Sequence, residues 1–281
     1  MIKVIVLDID GTLTNSVKEI TPFTRKALIK AQEKGYKLVL ASGRPTIGLQ
    51  RYVKELKLDE NDGILISYNG AVVSNAQTKE VYFSNLLNGQ RAKELVTHLK
   101  KFQGLVPVLE EGEYIICEDC FNDTISYKGK PFKVLQYEAR MNGMMIKEVR
   151  SLEDYLDHDT YKVLTYGSPE YLRTMQNKIA QGFDDINHMF SADFYYEFTA
   201  KNIDKLEAFK KAFDYKQEEI MAFGDAGNDK SMIEYAGLGI CMGNGQDEVK
   251  AVADYITDDN DHDGIAQALN MFLDLEVKEG M

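Results

Sequence analysis

Six short runs of apolar, mostly branched residues stand near the two ends of this chain, and each breaks off at a polar or glycine-rich turn. The first, residues 2–7 (IKVIVL), ends in Asp8. The second, Lys37-Leu38-Val39-Leu40-Ala41, ends in Ser42-Gly43-Arg44, and the third, Ile64-Leu65-Ile66-Ser67, ends near Asn69-Gly70. Continuous apolar runs of this length read as strands buried on both faces of a parallel sheet. Between them lie helical patterns. One opens at Thr21-Pro22, carries Phe23, Ala27, Leu28 and Ala31 on one face and stops at Gly35, and another passes through Tyr52 and Leu56. Near the other end come Ile220–Phe223, Gly237–Cys241 and Asp254–Ile256. Strand and helix in alternation predict an α/β fold, a doubly wound and mainly parallel sheet of Rossmann-like type.

The pattern changes after about Val81. Amphipathic helices are predicted near Gln90 to Phe102 and from Pro169 through Leu172, Met175 and Ile179, with strands at Tyr114–Cys117, Tyr161–Leu164 and Tyr195–Phe198. The division expected is a discontinuous α/β core of residues 1–83 and 191–281, interrupted by an inserted α+β domain at 84–190. The tail after Leu275 reads as frayed.

Charge narrows the partners. Lys+Arg 33 against Asp+Glu 45 leaves a net charge of −12, which repels nucleic-acid backbones and anionic membranes alike. Neither is expected as a partner. No signal-peptide pattern or membrane-length apolar segment is read, and three cysteines suggest no disulfide framework, so a cytoplasmic setting is expected. Cys117-Glu118-Asp119-Cys120 has no second pair with which to complete a zinc site, and the four histidines lack ligand-like spacing.

Ligands of open parallel sheets bind beyond the carboxyl ends of the strands. The chemically distinctive residues stand there: Asp8-Ile9-Asp10-Gly11-Thr12, Ser42-Gly43-Arg44, Asn69-Gly70 and Gly224-Asp225-Ala226-Gly227-Asn228-Asp229. One sheet edge would then hold four carboxylates, those of Asp8, Asp10, Asp225 and Asp229. Like charges so close need compensation. A hard divalent cation with oxygen ligands supplies it, and Mg2+ suits a site shared with phosphate.

These residues resemble the motifs of the haloacid dehalogenase-like hydrolases, and in particular the Cof-type phosphatases. The resemblance spans Asp-Ile-Asp-Gly-Thr-Leu at 8–13, Ser-Gly-Arg at 42–44, Asn-Gly-Ala at 69–71 and Lys205. It continues through Gly-Asp-Ala-Gly-Asn-Asp at 224–229, Met-Gly-Asn at 242–244 and Asp-Gly-Ile at 263–265. It implies a doubly wound core with an inserted α/β cap, and a phosphatase acting on a small-molecule phosphate ester. Asp8 would be the nucleophile and a magnesium ligand. Asp10 would be the general acid/base and bind the metal through its backbone carbonyl. Asp225 would be the third ligand and Asp229 would support the metal site. Ser42, Lys205 and Asn228, with backbone N–H groups at Ile9 and Gly43, would hold the phosphoryl oxygens. Arg44 and Asn69 are weaker candidates for substrate contact.

Two positions depart from the family pattern. Lys205 is followed by Leu206 rather than glycine, which leaves Lys201 as a competitor for the phosphate. Gly245 stands where alanine is usual, a change expected to be harmless. The acidic run Asp258-Asp259-Asn260-Asp261 lacks the closing glutamate of a calcium loop and reads as solvated, while Tyr161, Tyr195 and Tyr196 read as strand packing. Two other functions use similar residues. A phosphomutase or phosphotransferase would pass the phosphoryl group to a sugar phosphate instead of water. A receiver-like signalling domain would store it, although a general base at Asp10 would shorten the life of the stored group.

Overall fold

The computed structural model describes residues Met1–Lys278. The chain forms two compact units: one holds Met1–Gly43, Leu49–Ser84 and the chain from Asp204, and the other holds Arg44–Gly48 and Asn85–Ile203.

In the first unit an eight-stranded sheet runs in the order Tyr255–Ile256, Leu238–Cys241, Ile220–Gly224, Val4–Leu7, Lys37–Ala41, Ile64–Ser67, Val72–Asn75, Val81–Ser84. The first six strands are mutually parallel, and the last two are antiparallel additions. The opening strand shows why its sequence is apolar throughout. Ile5 and Leu7 enter one core with Ala27, Leu28, Ile265 and Leu269, whereas Val4 and Val6 enter another with Leu206, Phe209, Met232 and Ile233. Alternate side chains thus feed two cores, one on each face, and no position is left for a polar residue. The helix Pro22–Glu33 begins as its sequence dictates: Thr21 accepts from the Thr24 N–H and Pro22 occupies the first turn. It ends before Gly35, whose φ of 91° favours glycine.

The second unit is built on a six-stranded sheet in the order Met145–Glu148, Tyr114–Cys117, Val106–Glu111, Lys162–Tyr166, Tyr195–Ala200, Ile186–Ala192. Only the pairing of Met145–Glu148 with Tyr114–Cys117 is parallel. Helices Gly89–Leu99 and Pro169–Ile179 share a core with Leu109, Ile116, Val163 and Phe198, and Val134–Asn142 shares another with Val108, Ile115, Leu164 and Tyr166. Tyr195 and Tyr196 are buried in these cores. Among the described residues no helix is long and apolar enough to cross a membrane.

The chain returns to the first unit at Asp204, later than the expected 191. Tyr195–Ala200 pairs antiparallel with both Lys162–Tyr166 and Ile186–Ala192, and so belongs to the inserted sheet. Arg44–Gly48 joins the second unit although it follows a strand of the first. Ile47 packs into the core beneath Val134–Asn142, and the Arg44 guanidinium donates to the Met141 carbonyl at 3.2 Å. The tail is held further than expected: Leu275 is buried, and Val277 exchanges hydrogen bonds with the Asn270 side chain at 2.7 and 3.1 Å. The last residues of the expected frayed tail, 279–281, lie outside the described residues.

One buried ionic group underlies the second unit. The Lys162 ammonium lies 2.9 Å from Glu110 and 3.4 Å from Glu197, and all three side chains are almost fully buried. Burial also holds the nearby Glu138 carboxyl up at about 7, reinforced by the Glu110 charge. Removing this cation would strand two buried carboxylates. Lys162→Met is therefore expected to cost about 3–5 kcal/mol. Urea unfolding followed by circular dichroism checks this, and an unchanged midpoint would contradict it.

Candidate active site

The strand Val4–Leu7 has Lys37–Ala41 on one side and Ile220–Gly224 on the other, so the strand order reverses direction here. Such a switch point opens a crevice at the carboxyl ends of the strands. Asp8 and Asp225 each stand one residue past these ends, on neighbouring parallel strands, and the Asp8 N–H donates to the Phe223 carbonyl at 3.0 Å. Asp229 closes the short turn Gly227–Asp229. Lys205 opens the helix Lys205–Ala212, whose N-cap Asp204 accepts from the N–H groups of Leu206 and Glu207 at 2.9 and 3.0 Å.

These elements deliver three carboxylates and one ammonium to one place. Oxygens of Asp8, Asp225 and Asp229 lie within 4.8 Å of one another. Lys205 Nζ donates to Asp8 Oδ1 and to Asp229 Oδ1, each at 2.6 Å, and the lysine side chain is fully buried. Asp229 Oδ2 accepts from the backbone N–H groups of Asp225 and Ala226, both at 3.1 Å, so both of its oxygens are engaged. Burial first, and then the Asp229 charge, push the Asp8 carboxyl well above its ordinary range, against the pull of Lys205. Burial raises Asp225 to about 6, opposed by a hydrogen bond from Thr12. Burial alone would lower Lys205, but the charges of Asp229 and Asp8 outweigh it and hold the ammonium protonated.

With all four groups ionised the cluster carries a formal charge of −2, which one divalent cation matches. The donor set fits such an ion: each of the three residues offers a hard carboxylate oxygen, and none offers sulfur or imidazole. The surrounding backbone is pared down to admit the carboxylates themselves. A Cβ on Gly11, whose φ is 91°, would fall 2.6 Å from Asp225 Oδ2, and one on Gly224 would fall 2.5 Å from the Asp229 Cβ.

Asp10 departs from the four-carboxylate expectation. Its side chain pairs with Lys18 Nζ at 2.9 Å, part-exposed, and is not among the three clustered carboxylates. It lies three residues beyond the strand end, where the chain has already turned into the bridge between Asp10 and Thr14. The phosphate candidates follow the strand ends more closely. Ser42 is buried, its N–H donates to the Ile66 carbonyl at 2.8 Å, and its carbonyl accepts from the Asn69 N–H at 2.9 Å. The Asn69 side chain covers Gly43, where a Cβ would fall 3.0 Å from its amide nitrogen, and Asn69 Oδ1 accepts from Asn228 Nδ2 at 3.1 Å. Ile9 is buried beside Asp8, and its carbonyl accepts from the Thr14 N–H at 2.9 Å. Of the two competing lysines, Lys205 reaches the carboxylates; Lys201 is exposed in a turn of the second unit, the unit that also holds Arg44.

Other residues of the site carried weaker signals. Thr12 Oγ1 donates to Asp225 Oδ1 at 2.8 Å, a role visible in sequence only as part of the Asp-Gly-Thr motif. Asn244 Nδ2 donates to the Gly11 carbonyl at 2.8 Å and its Oδ1 accepts from the Asn260 N–H at 3.1 Å, while Asn260 Nδ2 reaches the Thr14 carbonyl at 2.8 Å. Asp261 accepts from the Ser16 N–H at 2.8 Å. The acidic run 258–261 is thus a brace for the loop that follows Asp8, not merely solvated. Gly245 is also constrained. A Cβ there would fall 2.5 Å from Cys241 Sγ, so alanine would force one of them to move.

The sequence profile of the haloacid dehalogenase-like hydrolase family matches residues 5–269. The 5-amino-6-(5-phospho-D-ribitylamino)uracil phosphatase YcsE of Bacillus subtilis is 31% identical over 95% of this chain and 94% of its own length. A crystal structure of a haloacid dehalogenase-like hydrolase from Bacteroides thetaiotaomicron superposes with a TM-score of 0.88 at 35% identity, covering 96% of this chain and 99% of that one. The sugar phosphatase BT4131, of subclass IIB, superposes with a TM-score of 0.77 at 26% identity, covering 96% and 98%. A match of this extent, on a fold whose strand ends gather these carboxylates, shows that the chain belongs to the haloacid dehalogenase-like hydrolase family.

Proposed function

We propose that this member of the family is a magnesium-dependent phosphatase that hydrolyses a small phosphate monoester through a phospho-aspartate formed on Asp8. The observation that carries the reading is the buried cluster in which Lys205 bridges Asp8 and Asp229 while Asp225 stands beside them. Asp8, Asp225 and the backbone carbonyl of Asp10 would hold the metal. Asp229, with both oxygens engaged, supports it by orienting Lys205 and the turn after Asp225. Bound Mg2+ would supply the positive charge that lets an anionic carboxylate approach an anionic phosphate.

Phosphoryl transfer asks the protein mainly for position and charge. Asp8 Oδ attacks phosphorus and the ester oxygen departs with a proton from Asp10. The ionised Asp10 then takes a proton from the water that attacks the aspartyl phosphate, which frees Asp8 and inorganic phosphate. Lys205, Ser42 and Asn228, with the N–H groups of Ile9 and Gly43, hold the phosphoryl oxygens and supply the local field that a −12 chain otherwise lacks. The substrate class is a sugar phosphate, nucleotide or cofactor phosphate. The activities named for YcsE and BT4131 favour a phosphate carried on a sugar or polyol chain. A screen of phosphate monoesters with magnesium tests this, and the absence of any hydrolysis would overturn the reading.

Asp8→Asn should abolish turnover of p-nitrophenyl phosphate and leave the circular dichroism spectrum unchanged. Retention of a substantial part of kcat would remove Asp8 from the role of nucleophile.

The metal should show itself in stability as well as in activity. Asp8 and Asp225 have raised pKa values in the metal-free fold, so folding takes up protons. The metal-free protein therefore loses stability as pH rises from the ordinary carboxyl range through about 6. A cation needs the ionised carboxylates. The gain in Tm on adding magnesium should accordingly be larger at about pH 7.5 than at about pH 5, and equal gains would count against binding at this cluster.

Asp10→Asn should separate the two chemical steps. The first step survives with p-nitrophenyl phosphate, whose leaving group needs no proton, while hydrolysis of the aspartyl phosphate slows by about 10²–10⁴-fold. Rapid mixing should show a burst of p-nitrophenolate in proportion to enzyme, followed by slow turnover. Equal slowing with good and poor leaving groups, and no burst, would make Asp10 structural.

A further inference from the structure

The turn after the strand Ile64–Ser67 has an unusual backbone. Tyr68, Asn69 and Gly70 all have positive φ, at 52°, 56° and 107°. Asparagine and glycine adopt this region readily, but a buried tyrosine does not, and such a backbone persists only where its surroundings fix it. Those surroundings are the phosphate candidates themselves. The Asn69 N–H donates to the Ser42 carbonyl at 2.9 Å, and the Asn69 amide lies over Gly43. Asn69 Oδ1 accepts from Asn228 Nδ2 at 3.1 Å. Gly70 seats the N-cap of the helix that Lys205 opens, since a Cβ there would fall 2.4 Å from the Asp204 carbonyl oxygen. One strained turn therefore touches three separate segments that supply phosphate ligands.

We infer that Asn69 is a positioning residue for the phosphate cradle, acting through Asn228 and the Ser42-Gly43 turn, and not a contact to the variable part of the substrate. The inference rests on the phosphatase reading above. The chemistry lies in the direction of the hydrogen bond. By accepting from Nδ2, Asn69 fixes which end of the Asn228 amide is the donor, and the second N–H of that nitrogen remains available to a phosphoryl oxygen. Left to rotate, the amide would as readily present its carbonyl, which repels an anion.

Double-mutant kinetics on the full-length protein with magnesium test this. Asn69→Gly suits the left-handed backbone and deletes the amide; Asn69→Asp keeps an acceptor for Asn228. Asn69→Gly should lower kcat/KM by about tenfold. The loss should be equal for p-nitrophenyl phosphate and β-glycerophosphate, and inhibition by inorganic phosphate should weaken by a similar factor. Asn228→Ala should cost its full factor in the wild-type and Asn69→Asp backgrounds and little in Asn69→Gly. Melting curves confirm that each variant is folded, and if Asn69→Gly is not, Asn69→Ala, which also deletes the amide, takes its place in the cycle. Independent losses at 69 and 228, a loss that depends on the leaving group, or a reduced cost of Asn228→Ala beside Asn69→Asp would each overturn the inference. Its failure is distinct from failure of the phosphatase reading, in which the wild-type protein would hydrolyse neither ester.

Discussion

Three carboxylates and a single ammonium share a largely buried strand-end site in this protein, and that one positive charge leaves the group two charges short of neutrality. Lys205 cannot neutralise Asp8, Asp225 and Asp229 together; it bridges two of them and leaves the third to Thr12. A cluster with that imbalance is a poor stabiliser of the fold. Its raised carboxyl pKa values express the same fact as a preference for protons where no cation is bound. The surrounding structure bears the cost of holding the groups apart from water. Asp8 and Asp225 are fixed by paired parallel strands, Asp229 by two backbone N–H groups, and Lys205 by a capped helix start.

The loop after Asp8 needs more support than its strand supplies. It must keep the Asp10 carbonyl and the Ile9 and Gly11 backbone in place while making a tight turn at Gly11. The support comes from two later loops of the first unit, through Asn244 in one and Asn260 and Asp261 in the other. Asp263 extends this bracing to the helix Pro22–Glu33, accepting from Thr24 at 3.1 Å and from Thr21. Residues nearly a whole chain length from Asp8 thus determine its local geometry.

The strand ends were legible in the sequence because these buried parallel strands are almost wholly apolar, so the polar turn after each run marks the edge where ligands of such sheets bind. That logic locates Asp8, Ser42, Asn69 and Asp225 without any neighbour being known. It cannot say where a side chain turns afterwards. Asp10 looks identical to Asp8 in sequence, yet its carboxylate goes to Lys18, itself in a left-handed conformation that no pattern announces. The return from the inserted unit was misplaced because Tyr195–Ala200 is as apolar as a core strand, and only its antiparallel partners reveal its sheet. The acidic run 258–261 resembles any solvated loop until its partners at Thr14 and Ser16 are seen. The cost of a methyl group at Gly245 depends on Cys241, four residues away, which sequence spacing alone does not bring into contact.

The membership of Arg44–Gly48 in the second unit has a consequence for how such a chain can be rebuilt. A plain insertion enters and leaves its host once, and can be excised or exchanged as a cassette. Here the chain passes between units at 43/44, 48/49, 84/85 and 203/204. Replacing 85–203 by a short linker would leave Ile47 without its core and Arg44 without the Met141 carbonyl, one residue beyond the Ser42-Gly43 turn. Exchange of the inserted unit between relatives is therefore a two-segment transplant, and its shorter segment begins immediately beside the proposed phosphate cradle.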